Sequence, residues 1–246
     1  MRYICDPHII PTNTCPPDLA ELERRTKEFA DFSPGVQLDV ADGRFAPVVS
    51  WPYHYGQMAE LSALYAGGRP LPESDKTLYE IHLMVEDPLE VGVQFARAGA
   101  SRIIPHIEAF AEPADARGAF ERYRAAGARE VGLALLIDTP LESIESVVDQ
   151  CDVVQLMSIA KIGAQGQPFD ERALARVEEL HALYPDLLVA VDGGISEANV
   201  ELLVRAGANR LCVGSAISKA PNMALAYEKM LDRAMRGCQP PVETLA

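Results

Sequence analysis

Basic residues are in short supply. The 246-residue chain has 22 Lys and Arg against 36 Asp and Glu, a net charge of −14. A surface of that sign repels phosphate backbones and anionic bilayers, so neither nucleic acid nor a membrane is expected as a partner. A small anion could bind only through local backbone donors that outweigh the global field. Long apolar runs are missing as well. None approaches the roughly 18 residues that a membrane span requires. The opening MRYICDPHIIPTN has neither the apolar stretch nor the small-residue cleavage site of a signal peptide, and a cytoplasmic location is expected. The five cysteines (Cys5, Cys15, Cys151, Cys212 and Cys238) are odd in number, scattered and without a C-x-x-C pair. That spacing argues against a disulfide framework or a zinc knuckle and predicts reduced thiols.

Hydrophobic residues make up 48% of the chain and charged residues 24%, enough apolar surface for one large α/β domain. Short β-branched runs near 8–11, 35–40, 78–84, 101–105, 130–136, 152–157, 187–191 and 209–213 read as strands. Amphipathic segments near 17–31, 54–66, 88–98, 113–126, 140–150, 170–183, 196–206 and 222–236 read as helices. Asp87-Pro88, Thr139-Pro140 and Ala220-Pro221 place proline near first turns, and Ser196 offers an N-cap. Ala-Gly-Ala at 98–100 and 206–208, and Ala-Ala-Gly-Ala at 125–128, fall where a helix should end and a strand begin. Eight such β/α pairs predict a single (β/α)8 TIM barrel over residues 1–236. The alternative, a doubly wound open sheet, wants G-x-G-x-x-G after its first strand, where this chain has Pro11-Thr12-Asn13-Thr14. Residues 67–76 (GGRPLPESDK) read as a surface loop on the face opposite the active site, and 237–246 (GCQPPVETLA) as a flexible tail.

In a barrel, chemistry gathers at the C-terminal ends of the strands. Asp39, His82 and Asp192 all fall there in apolar surroundings, where a lone carboxylate is costly unless paired or bound to a cation. Gln37 shares a strand face with Asp39 by period-two alternation. Two carboxylates, an imidazole and an amide oxygen could converge on one divalent ion. The plainer alternative makes Asp39 a turn cap, Asp42-Gly43 a turn and His82 a core histidine. Gly193-Gly194 and Gly214-Ser215 follow the seventh and eighth strands, the loops that often build a phosphate site from backbone N–H groups. Tight turn geometry is the plainer reading there too. Gly163 and Gly166 mark a flexible loop after the sixth strand.

LDVADGRFAP (38–47), IHLMVEDP (81–88), HIEA (106–109), GLALLIDTPLESI (132–144), DVVQLMSI (152–159), VDGGI (191–195), AGAN (206–209) and VGSAI (213–217) together resemble the ribulose-phosphate 3-epimerase family. The likeness spans about residues 8–220. It implies a metal-assisted epimerisation at C3 of a ketose phosphate, most directly D-ribulose 5-phosphate to D-xylulose 5-phosphate, through an enediolate. By resemblance Asp39 and Asp192 are the acid/base pair and, with His82, ligands of one divalent ion (Zn, Fe, Mn or Mg). Met84 and Met157 would line the intermediate and Thr12 would stand near the substrate. Gly193, Gly194, Gly214 and Ser215 would hold the phosphate, with Gly163 and Gly166 in the loop above. A homo-oligomer is implied in the same way.

The departures concern substrate and metal. Gln37 stands where the family has its first metal-binding histidine, and an amide oxygen is a weaker zinc ligand than imidazole, so the site could hold a divalent ion, a harder one such as Mn²⁺ or Mg²⁺ included, or none. Ala41 replaces a methionine, and IAKIGAQGQPF (159–169) replaces N-P-G-F-G-G-Q. Lys161 in that loop reads as a solvated lysine that could meet an anion, and His54 as a residue that could reach the site. Alternatives are another ketose phosphate such as a hexulose 6-phosphate, a sugar-phosphate-binding protein weakened in catalysis, or a decarboxylase or aldolase of the same barrel group. The last would show Asp-x-Lys on a strand, whereas Asp39 is followed by Val40, Ala41 and Asp42.

Overall fold

The computed structural model describes residues 5–238. Eight parallel strands close into a barrel in chain order: β1 (His8–Asn13), β2 (Gly35–Ala41), β3 (Leu78–Met84), β4 (Arg102–Pro105), β5 (Glu130–Leu135), β6 (Val153–Met157), β7 (Leu188–Asp192) and β8 (Arg210–Val213). The seam is β1 against β8, from His8 beside Arg210 to Pro11 beside Val213. The helices are α1 (Leu19–Ala30), α2 (Met58–Ala66), α3 (Pro88–Arg97), α4 (Asp115–Ala126), α5 (Arg172–Leu183), α6 (Val200–Ala206), α7 (Ser215–Ser218) and α8 (Met223–Gly237). The (β/α)8 barrel expected from the repeated β/α pattern is the fold observed.

Local chemistry explains most element boundaries. Asp18, Asp87 and Asn222 accept backbone N–H groups at the starts of α1, α3 and α8, each satisfying a donor the helix cannot. Gly99, Gly127 and Gly207 all take positive φ after α3, α4 and α6, as their Ala-Gly-Ala setting predicts. Two boundaries differ. Residues 140–150 form two 3-10 turns, Leu141–Ile144 and Val148–Gln150, instead of an α-helix. The buried Leu141, Ile144 and Val147 recur every third residue, which suits three residues per turn as well as a helix of 3.6. Ser196 does not cap α6; its N–H donates to Asn199 Oδ1 in a turn, and the helix starts at Val200.

Each strand faces two environments. Outward residues such as Val36, Leu38, Tyr79, Ile81, Val154, Leu156, Val189 and Val191 pack under the helices in the main core. Inward residues form layers along the barrel axis. The N-terminal layer is charged: Arg102 bonds the buried Glu80 and also Glu130, and Arg210 Nη1 lies 3.0 Å from Glu130 Oε2. Above it Ile104, Ala134, Val153 and Ala190 form a small apolar cluster. The C-terminal layer is polar again and carries the site described below. Of residues 67–76, which precede β3 on the N-terminal side, Gly67–Pro70, Asp75 and Lys76 are exposed as a surface loop would be, but Leu71 is buried in the main core.

The thiols depart from expectation. Cys5 and Cys238 form a disulfide, with Cα atoms 5.6 Å apart across a sequence separation of 233 residues, whereas Cys15, Cys151 and Cys212 are free. Sequence spacing cannot reveal such a pair, because barrel closure and the return of α8 past β1 bring the two ends together. Of the stretch 237–246, Gly237 ends α8, Cys238 is in this disulfide, and 239–246 lie outside the described residues. Among the described residues no helix is long and apolar enough to cross a membrane.

Candidate active site

Asp39 on β2 and His82 on β3 are register neighbours, and Asp192 ends β7 at the same height. All three point inward and are buried, as is Gln37. His82 Nδ1 lies 3.0 Å from Asp39 Oδ1 and 3.4 Å from Asp192 Oδ2. One ligand atom from each of Asp39, His82 and Asp192 falls within 4.8 Å of the others. The alternative of three unrelated capping and core residues is thereby corrected: they form one cluster. Gln37 sits beneath it. Its Nε2 donates to Asp39 Oδ1 at 3.1 Å and to Asp192 Oδ2 at 2.9 Å, while its Oε1 is buried without a partner.

The electrostatics of this cluster are unbalanced. Burial, and then the adjacent Asp39 charge, push the Asp192 carboxyl up to about 7. Burial alone would lower His82, but its bond to Asp39 and the charges of Asp39 and Asp192 outweigh that and raise it. Two buried carboxylates with one imidazole lack positive charge, and a divalent cation fits that deficit. The donor set fits it as well. Half a turn about the last torsion of Gln37 exchanges its amide nitrogen for its unpartnered oxygen, which would add a fourth oxygen or nitrogen ligand.

Asp39, His82 and Asp192 floor a cavity of about 330 Å³ that opens at the C-terminal end of the barrel, with Gln37 buried below its lining. Thr12, Met84, Met157, Gly163, Gly166, Gly193, Gly194, Gly214 and Ser215 all line it, so the structure gathers the expected site residues in one place. Thr12 Oγ1 is buried and without a hydrogen-bond partner. Met84 and Met157 pack with Ala41, Ala46, Ile159 and Ile162. Gly193 and Gly194 have φ of +116° and +63°, and a Cβ on Gly194 would come within 2.7 Å of Phe169 N. The backbone there therefore requires glycine. Lys161 and His54 are exposed and do not line the cavity.

Among the lining residues that escaped the sequence reading, Lys219 and Gln165 bear on what the cavity can hold. Lys219 is the one lysine or arginine among the described residues that line the cavity. Its signal was its place one turn beyond Gly214-Ser215, at the end of a helix too short to recognise from periodicity. Gln165, in the loop between β6 and α5, donates from Nε2 to Thr14 Oγ1 at 2.9 Å and accepts from Ser218 Oγ at 3.2 Å. It ties that loop to the β1 and β8 sides of the cavity. The cavity thus runs from an acidic floor to a glycine-rich rim carrying one cation.

Comparison with known proteins agrees with this arrangement. The family model described as the ribulose-phosphate 3 epimerase family matches residues 12–218. The ribulose-phosphate 3-epimerase of Synechocystis sp. is 34% identical over 193 residues, 77% of each chain. That of Chlamydia pneumoniae is 30% identical over 219 residues, 87% of each chain. A solved 3-hexulose-6-phosphate synthase from Salmonella typhimurium superposes with a TM-score of 0.61 at 15% identity, covering 94% of this chain and 99% of its own, a likeness of fold alone. With the motifs, the barrel and the acidic cluster in agreement, the chain belongs to the ribulose-phosphate 3-epimerase family and is an isomerase of the epimerase class.

Proposed function

We propose that the protein interconverts D-ribulose 5-phosphate and D-xylulose 5-phosphate by moving the C3 proton between Asp39 and Asp192. The observation that carries this reading is the pair of buried carboxyl groups from β2 and β7 facing one cavity, with Asp192 holding a proton towards neutrality because of its burial and the Asp39 charge. One carboxylate removes the proton from C3, and the C–H electron pair passes into a C2–C3 enediolate. The other carboxyl returns a proton to the opposite face, so the stereocentre inverts with no net change in charge or oxidation state. Thr12 Oγ1, buried and unpartnered at the cavity wall, is free to bond a substrate hydroxyl. Met84 and Met157 shield the intermediate from water. The loops at Gly193-Gly194 and Gly214-Ser215 offer backbone donors to the phosphate, Lys219 adds a positive charge, and the loop through Gly163 and Gly166 covers it.

A divalent ion held by Asp39, His82 and Asp192, with Gln37 turned to present its oxygen, would supply positive charge to the developing enediolate. That donor set, rich in oxygen, favours Mn²⁺ or Mg²⁺ over Zn²⁺ or Fe²⁺. A homo-oligomer forms part of the same reading. Exposed Leu183, Leu202, Leu225 and Met235 on α5, α6 and α8 are apolar positions for it to cover, checked by light scattering on the eluting protein.

The test is NMR of ribulose 5-phosphate with the protein in D₂O, with Mg²⁺, Mn²⁺ or Zn²⁺ added in turn and removed before acquisition. Deuterium at C3 together with xylulose 5-phosphate is expected. If no ion yields either, the pentulose assignment fails. Two other outcomes are distinguished, and Gln37 favours the first, since its amide donates to both carboxylates and occupies the place of an ion without supplying its charge. Saturable binding of the sugar phosphate without exchange would then mark a binding protein, and exchange confined to a hexulose 6-phosphate would mark a different substrate.

A further inference from the structure

A chain of polar groups, buried at His82 and His106 and half-buried at Glu108, leaves the acidic cluster. His82 Nε2, the ring nitrogen that faces neither carboxylate, lies 2.9 Å from His106 Nε2. His106 Nδ1 lies 3.1 Å from Glu108 Oε2. Both rings are fully buried, and Phe45 covers His106 with ring centroids 4.8 Å apart. The other oxygen of Glu108 accepts the Leu136 N–H at 2.8 Å and is bonded to the Thr139 hydroxyl.

The hydrogen positions along this chain follow from the only group in it whose role is fixed. A backbone N–H can only donate, so Glu108 Oε1 is an acceptor, and the carboxylate is anchored by Leu136 and Thr139. Glu108 Oε2 is then left to accept from His106 Nδ1. A neutral imidazole that donates from Nδ1 presents a lone pair at Nε2. The matching partner is an N–H on His82 Nε2, which leaves the lone pair of His82 at Nδ1, directed at Asp39 and Asp192. In this direction every contact from Leu136 to His82 Nε2 runs donor to acceptor with neutral rings, and the His82 lone pair left facing the carboxylates is the one contact that a cation between them would complete.

We propose that Glu108 and His106 are positioning residues that hold His82 in the Nε2–H tautomer, so that Nδ1 is kept as a ligand for the divalent ion. Gln37 makes this matter more here, because among the described residues His82 is the only imidazole facing the two carboxylates. Ligating histidines generally donate their second ring N–H to an acceptor that sets tautomer and ring angle, and losing that acceptor commonly weakens metal binding by about 10–100-fold. In this chain the acceptor is itself a histidine, set in turn by Glu108. The inference rests on the metal-dependent reading of the site but not on its substrate.

The experiment measures Mn²⁺ affinity, by electron paramagnetic resonance of free ion, on full-length protein without sugar phosphate. His106→Phe is expected to weaken binding by about 10–100-fold, and Glu108→Gln by about tenfold, because a side-chain amide can hold His106 either way round. His106→Gln, which can still accept from His82 Nε2, is expected to recover most of the loss. A role in packing alone would favour Phe over Gln in so apolar a setting. ¹⁵N NMR of the imidazoles in Zn²⁺-loaded wild-type protein should show His82 protonated at Nε2. Wild-type affinity in folded Glu108→Gln overturns the proposal, as does His106→Gln binding no better than His106→Phe, an Nδ1–H on His82, or no Mn²⁺ binding by the wild type. Should His106→Phe fail to fold, Glu108→Gln and the NMR decide alone. If the mutants lose Mn²⁺ as expected but the wild type epimerises no pentulose phosphate, the substrate assignment falls and the positioning role stands.

Discussion

The two ends of the barrel interior solve the problem of buried charge in opposite ways. At the N-terminal end Glu80 and Glu130 meet Arg102 and Arg210, so acids and bases balance in one network. At the C-terminal end Asp39 and Asp192 share a single imidazole and the neutral amide of Gln37. Between them lies a thin apolar layer of Ile104, Ala134, Val153 and Ala190. One sheet, one alternation and a rise of a few residues separate a charge-balanced network from a cluster held short of positive charge. The lesson is that buried acids alone do not mark the site. What marks it is the absence of matching cations together with a cavity above.

The largest effect should come from the unmatched end. Asp39→Asn or Asp192→Asn is expected to lower epimerase turnover by about 10³-fold or more. Melting temperatures measured in chelator should hold or rise, since one of two crowded like charges is gone. Full activity in either mutant would break the acid/base assignment. Next is the matched end. Arg102→Met strands the buried Glu80 and should cost about 3–5 kcal/mol in urea unfolding. Turnover per folded molecule should be nearly unchanged.

The ends should also respond oppositely to pH. Asp192 is raised in the folded protein by burial and by Asp39, so the folded state binds that proton more tightly than the unfolded chain does. Its contribution is fully present below the ordinary carboxyl range and is lost as pH rises through about 7. His82, also raised despite its burial, loses its contribution in the same direction. Thermal melts of chelator-treated protein should therefore weaken from acid towards pH 8, and Mn²⁺ should restore the loss. Glu130 is the counterpart: burial would raise it, but the charges and bonds of Arg102 and Arg210 hold it low. Its contribution is present above the ordinary carboxyl range and disappears as pH falls below it. Glu130→Gln should flatten the acid limb of the stability curve and leave the alkaline limb alone. The smallest effect belongs to the rim. Lys219→Ala should raise KM for the sugar phosphate by about three- to tenfold, less at high salt, with kcat nearly constant.

How much of this was legible beforehand depends on the range of the signal. The fold was, because each β/α unit repeats a local pattern of alternation, apolar stripe and Ala-Gly-Ala stop. The convergence of Asp39, His82 and Asp192 was, because a barrel puts strand ends side by side. The direction of the Gln37 amide was not, since periodicity gives a side chain's face but not which of its two ends meets a carboxylate. Lys219 hid just past a four-residue helix that has no period to read. The turns at 141–150 failed for a related reason, a spacing of three being common to both helix types. Most opaque was the Cys5–Cys238 pair, which depends on nothing local at all.

That pair has a topological consequence. Hydrogen bonds between β1 and β8 already make the sheet endless, and the sulfur bridge makes the covalent chain nearly so from Cys5 to Cys238. After a single nick between the exposed Gly67 and Gly68 the denatured chain would stay in one covalent piece, and only reduction would then release two fragments. The barrel is in this sense a ring with no privileged starting point. Its first and last strands could exchange roles with any adjacent pair: a chain re-cut at Gly67–Gly68 and joined through a short peptide near Cys5 and Cys238 should thread the same eight strands in a rotated order.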